Sequence, residues 1–560
     1  MGKYVKKAAP KSSPAFAGEG DHPKGGGGAL LSRKNPSTAL RAVPLPRKSG
    51  GGFLLALLAI GAAPAPEPVD LLIRGGTIYT GTAAPFVGDL AIAGDRIRAV
   101  GRRLPVSAKR VIDAKGMIVA PGFIDPHTHM GEDLASDDPG RRLIPAFLMQ
   151  GVTTAFIGND GGGDPDVARV LGGAVSRPVG INYATYVGFG AIRKQVLGDS
   201  NRAPDEAELK RMRVLVAGAM CQGAMGLSTG LFYAPQSFAK TDEVISLARE
   251  AGRRGGTYDS HLRDESSYTI GLAAAVDEAL AIGREAKIPV HISHIKALGV
   301  DVQGQAPAIV AKVESARRSG QAVTADQYPW SASGTSLAAA LVPLWAQDGG
   351  RERLLERLGD PRLRSGMAEN LRRRGGPAAL LITEGAFKGR TLADIAGSRG
   401  EEPVAAAIAV IREGDPAVAS FNQIESDIEA FMRRPWVMTG SDASAGHPRT
   451  YGSFARKYAK YVDSRTILNL RQFIERSSTL AADTFRLEGR GRLKPGAFAD
   501  VVVFDPRRFA ERATYAQPAL TAAGVRTVLV NGILAVDEGV LTGRAAGRAL
   551  PHRPTPGTCR

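Results

Sequence analysis

The chain has 560 residues, of which 44% are hydrophobic and 23% charged, a composition typical of a globular protein and not of a fibrous one. This length allows one large domain and a small one. The formal net charge of +17 does not indicate a nucleic-acid binder, because ten Lys or Arg against two acids in residues 1–50 supply +8, and the remaining +9 is scattered among acids without a basic run interleaved with aromatic residues.

Residues 1–68 are predicted to be a disordered leader, because Pro, Gly, Ser and Lys dominate most of them. A basic pair at 47–48 precedes an apolar run at 53–63, which ends in small residues. This is the pattern of a secretory signal peptide, and the run is too short to span a bilayer. We expect a periplasmic or secreted protein that begins near Pro64 or Pro66, with no stable membrane insertion. The alternative is a cytoplasmic protein with a flexible leader.

Short strand-like segments separated by Gly and Asp follow from residue 69, and similar segments recur near the other end of the chain. Neither group is large enough to bury a sheet face alone. We therefore predict one small β-sandwich domain built from residues 69–118 and 490–545, with a tail at 546–560.

The long middle region, 119–489, alternates strand-like and helix-like segments, which predicts a (β/α)8 barrel of the TIM type in an α/β protein. The predicted strands are 118–124, 153–158, 179–187, 224–231, 257–261, 289–294, 321–327 and 436–442. The predicted helices include 205–222, 241–254, 267–286 and 306–319. A gap at about 333–435 is interpreted as an insertion after the seventh strand, which could act as a lid.

Two histidines one residue apart, His127 and His129, end the first predicted strand. Alternate residues of an extended segment point the same way, so both imidazoles face a common object. Further polar residues end other predicted strands: Asp160, His261, His294 and Asp442. Active sites of such barrels form at these strand ends, and this set of nitrogen and oxygen donors suits zinc or a similar divalent ion.

The other histidines are assigned different roles. His291 lies on the opposite face of its strand from His294 and is interpreted as a packed or hydrogen-bonded residue. His447 stands in a loop and is expected to contact the substrate or a metal ligand. His22 and His552 lie in segments that are predicted to be unstructured.

The two cysteines, Cys221 and Cys559, are far apart in the sequence. They offer neither a disulfide framework nor a Cys-rich zinc module, so any metal is expected to be held by nitrogen and oxygen alone.

A second chemistry is suggested by Gly-Leu-Ser-Thr-Gly at 226–230, which matches the nucleophile elbow of serine hydrolases around Ser228. That elbow requires a helix straight after the serine. Here the chain continues with Leu231 to Pro235 and no helical periodicity, which disfavours a serine nucleophile.

Several motifs together resemble the amidohydrolase superfamily. They are Pro-Gly-Phe-Ile-Asp-Pro-His-Thr-His at 121–129, Gly-Ser-Asp at 440–442 and Lys-Pro-Gly-Ala-Phe-Ala-Asp at 494–500. Within that superfamily, Ser-His-Leu-Arg-Asp-Glu at 260–265, Ile-Ser-His-Ile-Lys at 292–296 and His-Pro-Arg-Thr-Tyr-Gly at 447–452 are similar to the N-acyl-D-amino-acid deacylases. The resemblance extends over roughly residues 69–545.

The resemblance implies a role for each matching residue. His261 and His294 would hold one tightly bound zinc ion, His127 and His129 a second and weaker divalent ion, and Asp442 would be the catalytic carboxylate. The residues expected to bind the substrate's carboxylate are Lys296, Tyr328 and Arg449. One departure concerns Asp160, which stands where the family usually has a cysteine ligand, and a carboxylate is a harder donor than a thiolate.

The sequence therefore predicts a metal-dependent hydrolase that cleaves the amide bond of an N-acyl amino acid or similar small amide by metal-bound hydroxide, with the D configuration implied by resemblance only. Four alternatives remain. Within the superfamily they are a cyclic-amide hydrolase of the dihydroorotase or hydantoinase kind and a deacylase for acyl-sugars, and from other classes they are a serine hydrolase that uses Ser228 and a non-catalytic binding barrel. The oligomeric state is not predicted.

Overall fold

The computed structural model describes residues 68–559. Its strands, in chain order, are β1 (Val69–Ile78), β2 (Phe86–Ala93), β3 (Arg96–Gly101), β4 (Ala108–Asp113), β5 (Ile118–Pro121), β6 (Phe123–Asp125), β7 (Val152–Ile157), β8 (Asn182–Thr185), β9 (Val187–Gly188), β10 (Gly226–Gly230), β11 (Thr257–His261), β12 (Val290–Ile292), β13 (Val323–Gln327), β14 (Ala332–Ser336), β15 (Leu380–Ile382), β16 (Ala417–Phe421), β17 (Val437–Thr439), β18 (Val501–Phe504), β19 (Val525–Val530), β20 (Ile533–Asp537) and β21 (Val540–Leu541).

The α-helices are α1 (Gly131–Ala135), α2 (Pro139–Arg142), α3 (Pro145–Leu148), α4 (Val167–Ser176), α5 (Phe189–Leu197), α6 (Glu206–Cys221), α7 (Thr241–Arg253), α8 (Leu272–Ala286), α9 (Ala306–Arg318), α10 (Leu337–Leu341), α11 (Gly350–Arg357), α12 (Pro361–Arg373), α13 (Leu392–Arg399), α14 (Pro403–Glu413), α15 (Glu425–Met432), α16 (Arg449–Tyr458), α17 (Leu470–Ile474) and α18 (Leu480–Thr484). Within the described residues, no helix is both long enough and apolar enough to cross a bilayer. The leader expected at 1–68, with its apolar run and His22, lies outside the described residues except for Pro68.

The sequence predicts a small β-sandwich built from both ends of the chain. In the described residues, strands from both ends form one mixed sheet. Its order is β21-β20-β19-β18-β5-β1-β2-β3, and β4 pairs with β1. Apolar side chains from the two chain ends pack into one core, which includes Leu71, Ile92, Val501 and Leu529. Neither end could bury this face without the other, because each supplies only part of the sheet.

The first predicted barrel strand is two strands that separate at Gly122. β5 pairs with β18 in the small domain, while β6 enters the barrel. The Gly122 N–H donates to the Asp500 carbonyl at 2.9 Å, and a Cβ added at this glycine would lie 2.3 Å from Thr153 Oγ1. The close approach of Thr153 leaves room for glycine only, and the chain changes sheets there.

The remaining parallel strands form a closed barrel of eight. β6, β7 and β8 pair in that order, β8 continues past Tyr186 into β9, and the second run is β9-β10-β11-β12-β13-β17. A parallel bridge between Thr128 and Ala443 joins the chain after β6 to the chain after β17. The predicted (β/α)8 class is confirmed, and each of the eight predicted strands overlaps an observed barrel strand.

Three of the four predicted helices agree with the structure to within one residue at either end. α6 begins after Asp205, whose side chain accepts the Glu208 N–H while the Glu208 carboxylate accepts the Asp205 N–H, a capping box. The predicted start at Ser267 is wrong, because α8 begins at Leu272. The Asp264 carboxylate accepts backbone N–H groups from the preceding segment, including that of Gly271 at 3.0 Å, and holds it as a loop.

The segment after β13 is a folded unit with its own core. β14, β16 and β15 pair as a small antiparallel sheet, and α10 to α14 pack beside it. Its buried cluster includes Leu341, Leu363, Ile395 and Ile411. A separate core explains why this stretch does not show the strand and helix alternation of the barrel around it.

The C-terminal segment is folded against the barrel, so the expectation of an unstructured tail is wrong. Leu550 N–H donates to the Tyr183 carbonyl at 2.8 Å, and His552 Nε2 lies 2.9 Å from the Arg254 carbonyl oxygen. The path brings Cys559 to the last residue of α6, Cys221, and the two form a disulfide. The expectation that the two cysteines offer no disulfide framework is therefore wrong, because the folded C-terminal segment brings together residues 338 apart in the sequence.

Candidate active site

The ends of the first and eighth barrel strands are held together by backbone hydrogen bonds. Asp442 N–H donates to the His127 carbonyl and His129 N–H donates to the Ala443 carbonyl, both at 3.0 Å. The buried Asp125 carboxylate accepts the N–H groups of His127 and Ser441. This pairing fixes the two histidines of the first strand beside the carboxylate of the eighth.

Asp160 lies among four imidazoles. Its Oδ1 is 3.4 Å from His127 Nε2, and its Oδ2 is 3.4 Å from His261 Nδ1. The same Oδ2 lies 3.6 Å from His129 Nε2 and 3.7 Å from His294 Nε2. His261 Nδ1 and His294 Nε2 are only 2.9 Å apart. Asp160, which stands where the family usually has a cysteine, is therefore within reach of all four imidazoles and would be available as a metal ligand.

Asp442 completes the set of six residues expected to bind metal. Its Oδ1 is 3.1 Å from His129 Nε2 and 3.7 Å from His127 Nε2. Its Oδ2 accepts a hydrogen bond from Arg449 Nη1 at 2.6 Å. The structure brings all six residues together at the strand ends.

Both carboxylates of the cluster are held as anions. Burial alone would raise the pKa of Asp160, but the charges of His127 and His261 hold it well below its usual range. Burial likewise opposes ionisation of Asp442, and Arg449 and His294 lower its pKa instead. A carboxylate must be ionised to bind a metal, so both residues are in the required form at neutral pH.

Two of the imidazoles have raised pKa values and therefore hold protons at neutral pH. Burial works against protonation of His127, but Asp160 raises its pKa to about 9. Burial and Lys296 work against protonation of His294, but Glu265 and Asp442 raise its pKa to about 10. Because a ligand histidine must be neutral, metal binding has to release these protons and becomes tighter as the pH rises.

The donor set fits a divalent metal. Buried His127 Nδ1, His127 Nε2 and Asp160 Oδ1 have no hydrogen-bond partner among the described residues, and buried polar atoms are normally paired. Three sets of potential ligand atoms lie within 4.8 Å of one another: His127, His129 and Asp442; His127, Asp160 and His294; and His261, Glu265 and His294. Imidazole and carboxylate are the usual zinc ligands outside Cys-rich sites.

Three members of the cluster have left-handed backbone conformations. The φ angles are 55° at Asp160, 34° at His294 and 49° at Asp442. Non-glycine residues rarely adopt positive φ, and each such residue costs of order 1–3 kcal/mol. The strained positions coincide with the ends of the second, sixth and eighth barrel strands, where the site forms.

Glu265 is a member of the site that the sequence reasoning did not assign. Its Oε1 lies 2.6 Å from Lys296 Nζ and 3.2 Å from His294 Nδ1, and its Oε2 lies 3.7 Å from His261 Nε2. Its sequence signals were its position four residues after a ligand histidine and its place at the end of the family-like motif at 260–265. Lys296, expected to bind substrate, is paired with Glu265 and lies 2.7 Å from His294 Nδ1.

Asp326, at the seventh strand, is a second residue that was not assigned. It pairs with His291, whose Nε2 is 3.0 Å from Asp326 Oδ2 and whose Nδ1 is 2.9 Å from Thr324 Oγ1. The hydrogen-bonded role expected for His291 is therefore confirmed. Asp326 Oδ2 also lies 3.8 Å from His127 Nδ1, so this pair supports the ring of a candidate ligand from behind.

A cavity of about 470 Å³ opens over the cluster, and the four residues expected to bind substrate line it. They are Lys296, Tyr328, His447 and Arg449. The Arg449 guanidinium lies 5.1 Å from the centre of the Tyr328 ring, and its Nη2 donates to Ser444 Oγ. His447 Nδ1 accepts the Arg449 N–H, while burial, with the charge of Arg449, holds the pKa of this histidine well below its usual range.

Ser228 is not placed to act as a nucleophile. It lies within β10, is fully buried and donates its hydroxyl hydrogen to the Gly158 carbonyl. Its oxygen accepts the Gly161 N–H at 3.1 Å. In residues 68–559, no histidine hydrogen-bonds this hydroxyl. The serine supports the turn that carries Asp160, and the serine-hydrolase alternative is wrong.

Replacing Asp160 tests whether it binds metal. Asp160→Ala is expected to lower the zinc content, whereas Asp160→Cys should retain or tighten zinc, because thiolate is the softer donor. Metal analysis of the purified variants after dialysis measures both. An unchanged metal stoichiometry in the two variants would show that Asp160 is not a ligand.

A barrel with histidines and carboxylates at its strand ends defines the class of metal-dependent hydrolases. Sequence comparison agrees: the profile of the Amidohydrolase family matches residues 110–536. The chain belongs to the amidohydrolase family.

Individual relatives are similar over most of their length. D-aminoacylase of Alcaligenes xylosoxydans xylosoxydans is 34% identical over 513 residues, which are 86% of this chain and 98% of the relative. N-acyl-D-glutamate deacylase of the same organism is 34% identical over 495 residues, 83% and 93% of the two chains. The structure of N-acyl-D-glutamate deacylase from Bordetella bronchiseptica, in complex with zinc and a phosphonate inhibitor, superposes on this protein with a TM-score of 0.75 at 32% sequence identity. The match covers 87% of this chain and 100% of the deacylase chain.

Proposed function

We propose that this protein hydrolyses the amide bond of an N-acyl-D-amino acid. The observation that carries the proposal is the cavity, whose wall places two buried cations, Lys296 and Arg449, beside the cluster of imidazoles and carboxylates. A substrate with a carboxylate next to its scissile amide matches that arrangement. The names of three relatives support the D configuration: D-aminoacylase, N-acyl-D-glutamate deacylase and N-acyl-D-aspartate deacylase.

Zinc is the metal proposed for the site, and a structure of N-acyl-D-glutamate deacylase contains it. His261 and His294 would hold the tighter ion, with His127 and His129 at the second position and Asp160 between them. When bound, zinc supplies a Lewis acid that polarises the carbonyl and lowers the pKa of water. A second position has precedent in the binuclear centre described for D-aminoacylase.

The protein's own groups would then move the proton. Asp442 is ionised, lies at the mouth of the cluster and can accept the proton of the attacking water. It can return that proton to the departing amine, so one carboxylate serves both halves of the reaction. Arg449, bonded to Asp442 Oδ2, fixes the orientation of this carboxylate and leaves Oδ1 facing His129.

A panel of N-acetyl amino acids, each supplied as both enantiomers to zinc-loaded protein, tests the proposal. The expected result is release of the free D-amino acid, with loss of turnover after chelation and recovery with zinc. Protein that binds zinc but releases no amino acid from any member would instead favour the binding barrel, and hydrolysis of hydantoins would favour the cyclic-amide alternative.

Arg449→Lys tests recognition of the substrate's carboxylate. Lysine keeps the charge but lacks the planar fork that pairs with a carboxylate, so kcat/KM for N-acyl amino acids should fall by roughly 10- to 100-fold. The fall should be smaller for the matching substrates whose carboxylate is an amide. The control is Arg456→Lys on the same helix, which bonds Glu511 away from the cavity. Equal losses on both kinds of substrate would indicate that Arg449 acts only through Asp442.

We also propose that the protein is exported to an oxidising compartment. The Cys221–Cys559 disulfide supports this, because structural disulfides persist in the periplasm and outside the cell and are rare in the cytosol. Protein isolated from its native host should lack free thiols and begin near Pro64 or Pro66. Reduced cytosolic protein that still begins at Met1 would contradict export.

A further inference from the structure

We infer that the substrate carries a second anionic group, which Arg374 binds. This inference rests on the proposed function, in which the first carboxylate lies with Lys296 and Arg449. Arg374 follows α12 in the insertion and lines the cavity above the cluster, and only 2% of its surface is exposed. The sequence reasoning had assigned it no role.

Arg374 has only neutral partners. Its Nε donates to the Ala340 carbonyl and its Nη1 to Ser420 Oγ, both at 3.1 Å. Its guanidinium carbon lies 5.6 Å from the centre of the Tyr268 ring. Within residues 68–559, no carboxylate oxygen lies within the 4.0 Å of an ion pair with this guanidinium.

The other two cations of the cavity differ in this respect. Lys296 Nζ is 2.6 Å from a Glu265 oxygen, and Arg449 Nη1 is 2.6 Å from an Asp442 oxygen. Glu384, which the insertion also contributes to the cavity, is partly exposed and forms no ion pair with Arg374. Arg374 is thus a buried charge without a counter-ion among the described residues, a costly arrangement that an anionic ligand would relieve.

The position of Arg374 limits where the second anion can be. The cluster is built from barrel strand ends, whereas Arg374 and its neighbours in the wall, Thr383 and Val418, come from the insertion. Arg374 makes no hydrogen bond or ion pair to the described members of the cluster. The anion it binds is therefore a group other than the carboxylate held by Lys296 and Arg449, either on the amino-acid side chain or at the far end of the acyl group. The chemistry is the same in both cases: a carboxylate that meets a planar guanidinium.

Two pairs of nearly isosteric substrates distinguish these sources. N-acetyl-D-glutamate against N-acetyl-D-glutamine varies the charge of the side chain, and N-succinyl-D-alanine against N-succinamoyl-D-alanine, whose terminal carboxylate is an amide, varies the charge of the acyl group. In one pair, zinc-loaded wild-type protein should show a kcat/KM roughly 10- to 100-fold higher for the anionic member, as expected for a charged hydrogen-bonded contact. No preference in either pair would overturn the inference.

Variants then assign that preference to Arg374. Arg374→Met should abolish the ratio between the anionic and neutral members of the preferred pair, and Arg374→Lys should retain part of it. The matched control is Arg373→Gln, an adjacent arginine that already pairs with Glu369 and should keep the wild-type ratio. If Arg374 is only structural, Arg374→Met will lower the melting temperature, and the folded variant will keep the wild-type ratio of kcat/KM between the anionic and neutral substrates.

The failure of this inference is distinguishable from the failure of the proposed function. If wild-type protein releases D-amino acids from neutral substrates without any preference for the anionic ones, the deacylase proposal stands and the role of Arg374 falls. If no N-acyl-D-amino acid in either pair is hydrolysed, the proposed function itself is wrong.

Discussion

Asp442→Asn is expected to reduce turnover of N-acyl-D-amino acids by roughly 10²- to 10⁴-fold, the range associated with general acid–base catalysis. Asparagine preserves the shape of the side chain and can keep contact with Arg449, but it cannot accept a proton from water. The loss should appear in kcat with little change in the zinc held by His261 and His294, measured by metal analysis of the same sample.

Two outcomes would contradict this assignment of Asp442. If metal leaves in proportion to activity, Asp442 is chiefly a ligand, as its 3.1 Å contact with His129 would also allow. If activity stays near the wild-type value, the proton must move through another group, and Glu265, the carboxylate beside His294 and Lys296, is the residue to replace next.

His261→Ala is expected to remove the tighter metal. The His261 imidazole contacts both Asp160 and His294. Its loss should weaken zinc binding by more than the roughly 10- to 100-fold typical of residues that only support a ligand. Zinc content after dialysis and activity with stoichiometric zinc should therefore fall together. Excess zinc should restore only part of the activity, because one ligand is missing.

His291→Gln is the matched control for His261→Ala. His291 is equally buried and belongs to the neighbouring strand, but it bonds Thr324 and Asp326 and faces away from the cluster. Because its partner Asp326 lies 3.8 Å from His127 Nδ1, its replacement should lower the melting temperature and weaken zinc binding by no more than the roughly 10- to 100-fold typical of supporting residues, so that excess zinc restores the wild-type stoichiometry. Loss of zinc from both variants would mean that metal content reports damage to the barrel and not the loss of a ligand.

The location of the site could be predicted from sequence because the active site of a (β/α)8 barrel forms at the C-terminal ends of its strands. Once eight strands were recognised, residues such as His127, His261 and Asp442 had to converge, and the structure brings them together. The same rule could have included Asp326, which lies near the end of the seventh strand. The sequence does not single it out, because an aspartate at a strand end has many ordinary roles and its partner His291 lies on the opposite face of its strand from His294.

Other features depend on contacts that sequence spacing does not encode. Glu265 approaches the site only because the chain turns back after β11, and Arg374 reaches the cavity from an insertion with a core of its own. Local hydrogen bonding also overrides periodicity, as when Asp264 delays the start of α8 to Leu272. These features follow from tertiary packing, which a single sequence does not specify by pattern alone.

The disulfide has a consequence for the topology of the chain. Its two sulfurs close a covalent ring between residues 221 and 559, which contains five barrel strands, the whole insertion and the C-terminal strands of the small domain. In the chain-entropy description, a ring of this size removes roughly 5–6 kcal/mol of configurational freedom from the unfolded protein. A single proteolytic cut inside the ring, for example in the insertion, would open it without separating the fragments. After a cut in the insertion, the disulfide would still tether the strand that carries Asp442 to the fragment that carries His127, Asp160, His261 and His294.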